Sequence, residues 1–542
     1  MIRSFLTIAF LLHLASSFAQ ATVVQKGKPF SRTLKGSTGD LFTVVDGIFA
    51  ADGRHILYVE EGLAPKVVRL DALLQPTEEL VLKDLVIDGL KWTAVTPIVG
   101  NGSMRCLMVS AGKKGSDYGI GNVSTSGTLS ITGFRKLVSF PEPYANDPSN
   151  TMVVRPLPDP ILFTKGLAYV QQERLIRSPD GEHFLLNHYS NAGKGNKKFH
   201  AAWLDKDLTV LWNNTMELPY EDAKSSIHQI VVANDGTFRL LTYVFQCKGA
   251  EQLGDKNCHE LHLTTIAGNG KEVSDVLLEK DFVSSARIVD RSGGRVALAL
   301  RYGALTGQPG LVVSFDPADA KLKPTPLVTQ RLPSIHKAKL MAYGDPTADP
   351  RKPPSRTAKV ADEIVDLLDA PDGGMTVVET FLETMFPLQM GEVIAMRHLS
   401  GPIRVSQVLP NDSLGWQRTV ERALMTTAGQ AYEGSVIMTA GKGIILLHGH
   451  TPKGFDAILK AGVDAAGMKN PVPAEPFVLK AVAVDMDGTI KREGTALMME
   501  EDFVPCPMGV LMEPNGTRAL VKAYDRGTQY RFFVIDLAKL GQ

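Results

Sequence analysis

The chain predicts an all-β fold, a single β-propeller of eight blades whose ring is closed by its own N-terminal segment. Three observations lead there: a glycine turn that recurs eight times, a pair of mostly large apolar residues at a fixed distance behind each glycine, and a spare strand-like segment ahead of the first unit. The glycines are Gly53, Gly102, Gly181, Gly236, Gly293, Gly373, Gly441 and Gly516. Four and five residues after them stand Leu57-Tyr58, Cys106-Leu107, Leu185-Leu186, Leu240-Leu241, Ala297-Leu298, Val377-Val378, Ile445-Leu446 and Leu520-Val521. Each turn is of the DG, NG, GG or KG type, which suits a positive φ and joins two antiparallel strands in a hairpin. One hairpin cannot bury both its faces, so the units must stack.

The glycines lie between 49 residues (Gly53 to Gly102) and 80 residues (Gly293 to Gly373) apart, the length of a four-stranded blade with surface loops added. A third strand follows each hairpin, and in several units it closes on an aspartate: VVRLDA near Asp71, AAWLDK at Asp205, VVSFDP at Asp316 and FFVIDL at Asp536. Three strands and a connecting fourth make one radial blade, and neighbours in a ring cover both faces of every blade. The count of units is eight, with seven as the fallback.

Ring closure follows from where the strands run out. The sequence ends soon after the third strand of the last unit, so that blade lacks its outer strand. Ahead of the first unit, residues 22–34 (TVVQKGKPFSRTL) supply a candidate for it, which would close the circle as a hydrogen-bonded clasp.

At 542 residues, 44% hydrophobic and 21% charged, the chain has material for a large core, and one propeller accounts for it better than the three or four domains that length alone suggests. The 58 basic and 58 acidic residues cancel, which argues against a broad electrostatic footprint for nucleic acid or an anionic membrane. Residues 1–21 stand apart as a secretory signal peptide: Arg3 opens it, an apolar run from Phe5 to Leu14 is broken only by Thr7 and His13, and SSFAQA offers cleavage near Ala19 or Ala21. That run is shorter than the ~20 residues of a membrane-spanning helix. The expectation is an extracytoplasmic, monomeric propeller domain over residues 22–542, with no membrane span in the mature chain and no cofactor.

Cysteine usage agrees with export. Cys247 and Cys258 bracket the loop QCKGAEQLGDKNCHE between two strands of the fourth unit, and a disulfide there would staple the loop, contributing about 2 to 4 kcal/mol. Two free thiols are the alternative. Cys106 falls at a core strand position of the second unit and Cys506 precedes the turn of the eighth, so a blade separates them and they are not expected to pair.

Two motifs invite chemistry. VAVDMDGTI, with Asp485 and Asp487, resembles the first motif of haloacid-dehalogenase-type phosphatases, in which two aspartates act as nucleophile and acid/base. Only 52 residues follow Ile490, with no room for the α/β core such an enzyme needs, and Asp485 occupies the place of Asp205, Asp316 and Asp536 at the end of a third strand. SPDGEHF, from Ser178 to Phe184, lacks the extra residue and the tryptophan of a sialidase-type Asp box. It resembles the SPDG turn of TolB-type, WD40-like propellers, specifically in this unit, partially in DAPDGG and EPNG, and loosely elsewhere. The stretch from AAWLDKDLTVLWNNTMELPY to VVANDGTFRLLTYVF is also similar to uncharacterised secreted propeller proteins of the Bacteroidota. That resemblance implies a fold and not an activity.

Metal and nucleophile signals are thin. His448 and His450 in LLHGH would share one strand face, a spacing compatible with zinc, and Cys258, His259 and His262 cluster in CHELH, but neither announces a full ligand set. No GxSxG elbow and no GxxxxGK[ST] loop occurs in the sequence. Two stretches depart from the repeat: residues 332–359, rich in proline and basic residues, and residues 450–476, with a helical turn expected near Phe455 to Leu459. Both are expected as loop insertions lining one side of the ring.

Two function classes follow. One is a secreted, non-enzymatic propeller that binds a protein, peptide or glycan through its loop face or central channel. The other is a polysaccharide hydrolase or lyase with paired carboxylates at the channel mouth, for which Glu379, Glu383 and Asp290 lie near strand ends without revealing a facing pair.

Overall fold

The computed structural model describes residues 22–32, 42–50, 52–61, 64–100, 102–112, 115–142, 174–189, 195–245, 259–280, 283–291, 294–302, 310–318, 325–326, 358–370, 372–385, 397–422, 424–426, 435–440, 443–450, 478–499, 503–513, 515–525 and 529–540. Their strands form eight antiparallel sheets, one per predicted unit. In order from inner to outer strand, blade 1 comprises Phe42–Ile48, Ile56–Glu61, Ala64–Leu70 and Pro76–Val81, and blade 2 Leu90–Gly100, Ser103–Gly112, Gly115–Val123 and Ile131–Phe140. Blade 3 comprises Leu175–Arg177, His183–Tyr189, Asn196–Asp205 and Val210–Glu221, and blade 4 Ser225–Val232, Phe238–Phe245, His259–Ile266 and Val273–Glu279. Blade 5 comprises Val283–Asp290, Val296–Tyr302, Leu311–Phe315 and Thr325–Pro326, and blade 6 Ala358–Asp369, Met375–Met385, Arg397–Val408 and Leu414–Val420. Blade 7 comprises Ser435–Ala440, Gly443–His450, Val478–Asp485 and Ile490–Met498.

Blade 8 takes Val504–Met512, Arg518–Tyr524 and Gln529–Asp536 from the end of the chain and its outer strand, Thr22–Lys26, from the beginning. Thr22 pairs with Asp536 and Lys26 with Phe533, and Phe30–Ser31 continues along the same neighbour. The Phe30 ring stacks on Tyr530 and Phe532 at centroid distances of 5.9 and 5.7 Å, so the clasp is apolar as well as hydrogen-bonded. The predicted clasp is therefore present.

The apolar pairs explain how a ring of sheets acquires a core. Fifteen of the sixteen paired residues are buried, Ile445 being half-buried. Because adjacent strand residues point to opposite faces, each pair serves two junctions at once. Leu57 joins the cluster between blades 8 and 1 while Tyr58 joins that between 1 and 2, and Leu240 and Leu241 divide likewise between the junctions of blades 3 and 4 and of blades 4 and 5. The buried apolar residues fall into eight clusters, one for each junction of an eight-membered ring. This division settles the blade count at eight rather than seven.

Six of the eight turn glycines, Gly53, Gly102, Gly181, Gly236, Gly373 and Gly516, have the positive φ expected of them, and Gly293 and Gly441 lie outside the described residues. Gly181 has φ +74°, and its N–H donates to the Ser178 carbonyl at 2.9 Å, which leaves the chain in the left-handed region just before the second strand. Across the blade, the third strand ends on the aspartates. The Asp71 carboxylate accepts from the N–H groups of Leu73 and Gln75, both at 2.8 Å, and Asp205 accepts from Thr209 N–H at 2.7 Å. Asp485 stands in the same place: its N–H donates to the Thr489 carbonyl at 3.0 Å, and Asp487 accepts from Thr489 N–H at 2.8 Å. Gly488 closes that turn at φ +78°. The phosphatase-like motif is a blade turn.

Antiparallel connectivity fixes two unlike faces. Every first-to-second and third-to-fourth connection lies on one face, here the turn face. Every second-to-third connection and every passage between blades lies on the other, here the loop face.

Candidate ligand-binding face

Both insertions anticipated in the sequence leave from strand ends on the loop face. Residues 332–359 lie between the outer strand of blade 5 and the inner strand of blade 6, and residues 450–476 between the second and third strands of blade 7. Apart from residues 358, 359 and 450, which belong to strands, they lie outside the described residues, as does segment 1–21, expected as a signal peptide. Cys247 and Cys258 also lie outside. The two strands that border the segment containing them end at the register pair Phe245 and His259.

The second strands change character along their length. In every blade but the second they start with the apolar pair at the turn face and finish, toward the loop face, with buried polar groups: Glu60, Asn187 and His188, Thr242, Arg301, Glu379 and Thr380, His448 and His450, and Lys522. Burying such groups is costly unless each is hydrogen-bonded or paired. Several are. At the junction of blades 2 and 3, the Tyr118 hydroxyl lies 2.9 Å from His188 Nδ1, and His200 bridges Thr215 Oγ1 at 2.7 Å and the Glu142 carboxylate. Phe140 stacks on His188 at 5.6 Å. Burial, with Arg174 adding to it, pushes the His188 imidazole down to about 3, so the ring is neutral at physiological pH. Nearby Lys197 pairs with Asp222, both side chains buried, and burial lowers the lysine while Asp222 opposes that shift.

The predicted acids do not converge. Glu379 is buried between Arg301 of blade 5 and Arg404 of its own blade, the latter at 2.8 Å. Asp290 pairs with Arg239 near the turn face. Of Glu383 only the backbone is described. On the outer strands of blade 4, His262 sits between Asp275 at 2.9 Å and Glu260 at 3.3 Å, and Tyr220 of blade 3 donates to Asp275. Burial works against the His262 charge, but Asp275 and then Glu260 overcome it and hold the imidazole above its ordinary value. Glu60 stands apart, its carboxyl pushed up to about 8 by burial.

His448 and His450 share a strand face, as their spacing predicted, with rings 6.3 Å apart. Both are buried, and burial holds them at about 3 and about 4, aided by Arg422 and Lys480 respectively. Among the described residues no group of three or more histidine, cysteine, aspartate or glutamate side chains is placed to hold a metal ion. Cys106 and Cys506 are both buried, and burial raises the Cys106 thiol to about 12, which leaves it inert.

The inner strands contribute a different set of polar groups. Five of them bulge at a matched level, each immediately before a polar residue: Asp46, Thr96, Gln229, Ser285 and Asp366. The Gln229 amide exchanges two bonds with the backbone of Ile288 in the next blade, at 2.9 and 2.8 Å, and the Ser285 hydroxyl accepts from Ile364 N–H at 3.0 Å. Asp46 and Asp366 each accept from the following N–H, at 2.7 and 2.9 Å. These groups lace exposed strand edges together.

What the loop end of the ring offers is a set of fixed donors, acceptors and neutral imidazoles that differs from junction to junction. Sequence reasoning missed Glu60, Tyr118, Glu142, His188, Lys197, His200, Asp222 and Arg422. The signal within reach was a polar residue at the far end of an otherwise apolar second strand, as in FLLNHY.

No protein-family model and no curated protein matches the chain. Among solved structures it is similar to prolyl oligopeptidase B from Galerina marginata, at 10% identity and a TM-score of 0.38, over 90% of this chain and 55% of that one. It is similar to the β-propeller domain of the Trilobed protease from Pyrococcus furiosus, at 10% identity and a TM-score of 0.33, over 83% and 98%. It is also similar to the Synechocystis apocarotenoid oxygenase, at 10% identity and a TM-score of 0.35, over 89% and 95%. The chain spans 55% of the length of the oligopeptidase it matches. Likeness of this degree carries no argument about activity, and the eight-bladed assignment rests on the chain's own strand pairing.

Proposed function

We propose that the protein is an extracytoplasmic propeller that binds a protein, peptide or glycan through its loop face, without catalysing a reaction. One observation carries this: costly buried polar groups gather at the loop ends of the second strands of seven blades, while the turn-side halves of those strands are apolar in the main, Arg239 and Thr376 being the buried exceptions. The hydrolase reading asks for two half-buried acids facing each other across a cleft. Glu379, Asp222, Glu142 and Asp275 each face a cation or a histidine instead. Export is part of the same reading, supported by the leader-like residues 1–21, and with it goes a Cys247–Cys258 staple, favoured by bordering strands that end in register. Kinship with TolB-type, WD40-like propellers is its finer part, supported by the SPDG turn at Gly181. Affinity capture from the native host tests the reading. A partner should be retained by variants of the turn face, such as Asn214→Ala, and lost with Asn187→Leu or Lys480→Gln; release by the turn-face variant alone would overturn it.

A further inference from the structure

The junction of blades 6 and 7 carries a nitrogen whose chemistry is incomplete. His448 Nδ1 lies 3.1 Å from the Gly449 carbonyl oxygen. A carbonyl only accepts, so Nδ1 carries the ring proton and Nε2 is left as a bare acceptor. That Nε2 is fully buried and has no hydrogen-bond partner. Beside it stands Lys480, its register partner on the third strand. Directly opposed residues of this kind have Cβ atoms about 5 Å apart and side chains on one face. The Lys480 ammonium is partly exposed and, among the described residues, reaches the Glu493 carboxylate at 4.0 Å. Blade 6 supplies the opposite wall with Arg422, which donates to the Gly401 carbonyl at 2.7 Å and to the Thr380 hydroxyl. His450 adds a second imidazole on the same face.

We propose that this junction binds an acidic sugar of the uronate type, one ring hydroxyl donating to His448 Nε2 and the neighbouring carboxylate pairing with the Lys480 ammonium. The inference rests on the loop-face binding reading and narrows its ligand. A bare acceptor beside cations calls for a hydroxyl donor and an anion on one ligand. A uronate holds the two on adjacent ring carbons, C4 and C5, and a 1,4-linked chain keeps that hydroxyl free at its non-reducing end, which suits two protein groups that are cross-strand neighbours. A metal ion would meet the charges of Arg422 and Lys480, and a neutral sugar would leave the ammonium unanswered. An acidic peptide has the carboxylate, but no hydroxyl fixed next to it.

Titration calorimetry of the whole chain with tetragalacturonate, cellotetraose and tetraglutamate tests this. Tetragalacturonate should bind at least ten-fold more tightly than either of the others. Lys480→Gln should weaken it ten-fold or more, His448→Phe should do the same, and His448→Gln, which keeps an acceptor, should stay within about three-fold. The Nε2 resonance of His448 should remain that of an unprotonated nitrogen in the complex. Equal binding of tetraglutamate, no binding of tetragalacturonate, or indifference to Lys480→Gln overturns the site. If His448→Phe does not fold, Lys480→Gln decides, because its side chain is partly exposed and contributes little to the core. Retention of a captured partner by a chain that ignores tetragalacturonate would sink this site and leave the wider binding reading standing.

Discussion

The two faces of the ring are held together in opposite ways. At the turn face, every junction is closed by a link of one kind, a side chain reaching a turn carbonyl of the next blade. Arg69 reaches Gly127 at 2.8 Å, Arg135 reaches Asp207, Asn214 reaches Asn269 at 2.7 Å and Arg239 reaches Gly294 at 3.2 Å. Arg291 reaches Gly373, Trp416 reaches Met486 at 2.6 Å, Arg492 reaches Leu537 at 3.2 Å and Gln25 of the clasp reaches Ala72. At the loop face the junctions hold different groups: a histidine pair with Tyr118 and Glu142, an arginine–glutamate–arginine triad, a basic cluster around His448. A device repeated at every junction serves the scaffold. Groups that differ at each junction are where selection for a ligand can act.

If the turn-face side of this comparison is right, the clasp is its largest single element. Deleting residues 22–34 removes the outer strand of blade 8, the Phe30 stack and the Gln25 link together. The expected outcome is a drop in melting temperature of the whole domain, seen by calorimetry as one shifted transition. An unchanged melting temperature would show that blade 8 needs no fourth strand.

The loop-face triad comes next. Replacing Glu379 by alanine removes the carboxylate that Arg301 and Arg404 share, and breaking a buried pair of this kind costs about 3–5 kcal/mol. Denaturant unfolding should show the loss. The double replacement of Glu379 and Arg301 by apolar residues should recover part of it, because the uncompensated charge goes too.

These two cases also show what a sequence can and cannot disclose. The glycine turns, the apolar pairs and the third-strand aspartates were legible because each is local or strictly periodic, and the clasp because a unit short of one strand left a spare strand-like segment to match it. Reading Asp485 in register with Asp205 identified a turn where a motif search finds a phosphatase. The loop-face groups were not legible, because each acquires meaning only from a partner far away in the chain. Glu379 meets Arg301 across 78 residues and Tyr118 meets His188 across 70. Glu379 was singled out as an acid, yet nothing nearby in the sequence says that two arginines neutralise it.

A smaller, pH-dependent effect separates the faces without mutation. His188 and His448 are held at about 3 and His450 at about 4, burial being the main cause, against 6.5 for an ordinary imidazole. Between 6.5 and those values the unfolded chain binds protons that the folded chain refuses, so stability present above pH 6.5 falls as the medium is acidified through that window. His262 acts with the opposite sign: its raised value contributes stability that is full below 6.5 and is lost as pH rises through its folded value. With six lowered histidines (His55, His188, His200, His228, His448 and His450) against the raised His262, Glu60 and Asp46, melting temperature should fall between pH 7 and pH 5. His188→Gln should flatten that slope, and a slope unaltered by it would place the acid sensitivity elsewhere.

The smallest effect belongs to a single turn-face link. Asn214→Ala removes one amide donor, which reaches the Asn269 carbonyl at 2.7 Å from a half-exposed position, and a net hydrogen bond of this kind contributes about 0.5–1.5 kcal/mol. Trp212 still packs over Gly270 at the same junction, so the blades stay docked. If links are interchangeable parts of a scaffold, Asn214→Arg, which restores the donor type used at other junctions, should regain most of that loss. Ligand binding at the loop face should be untouched by either variant. A change in binding would mean that the two faces are coupled through the blades, and the division between scaffold and recognition would then have to be drawn within each blade instead of between its ends.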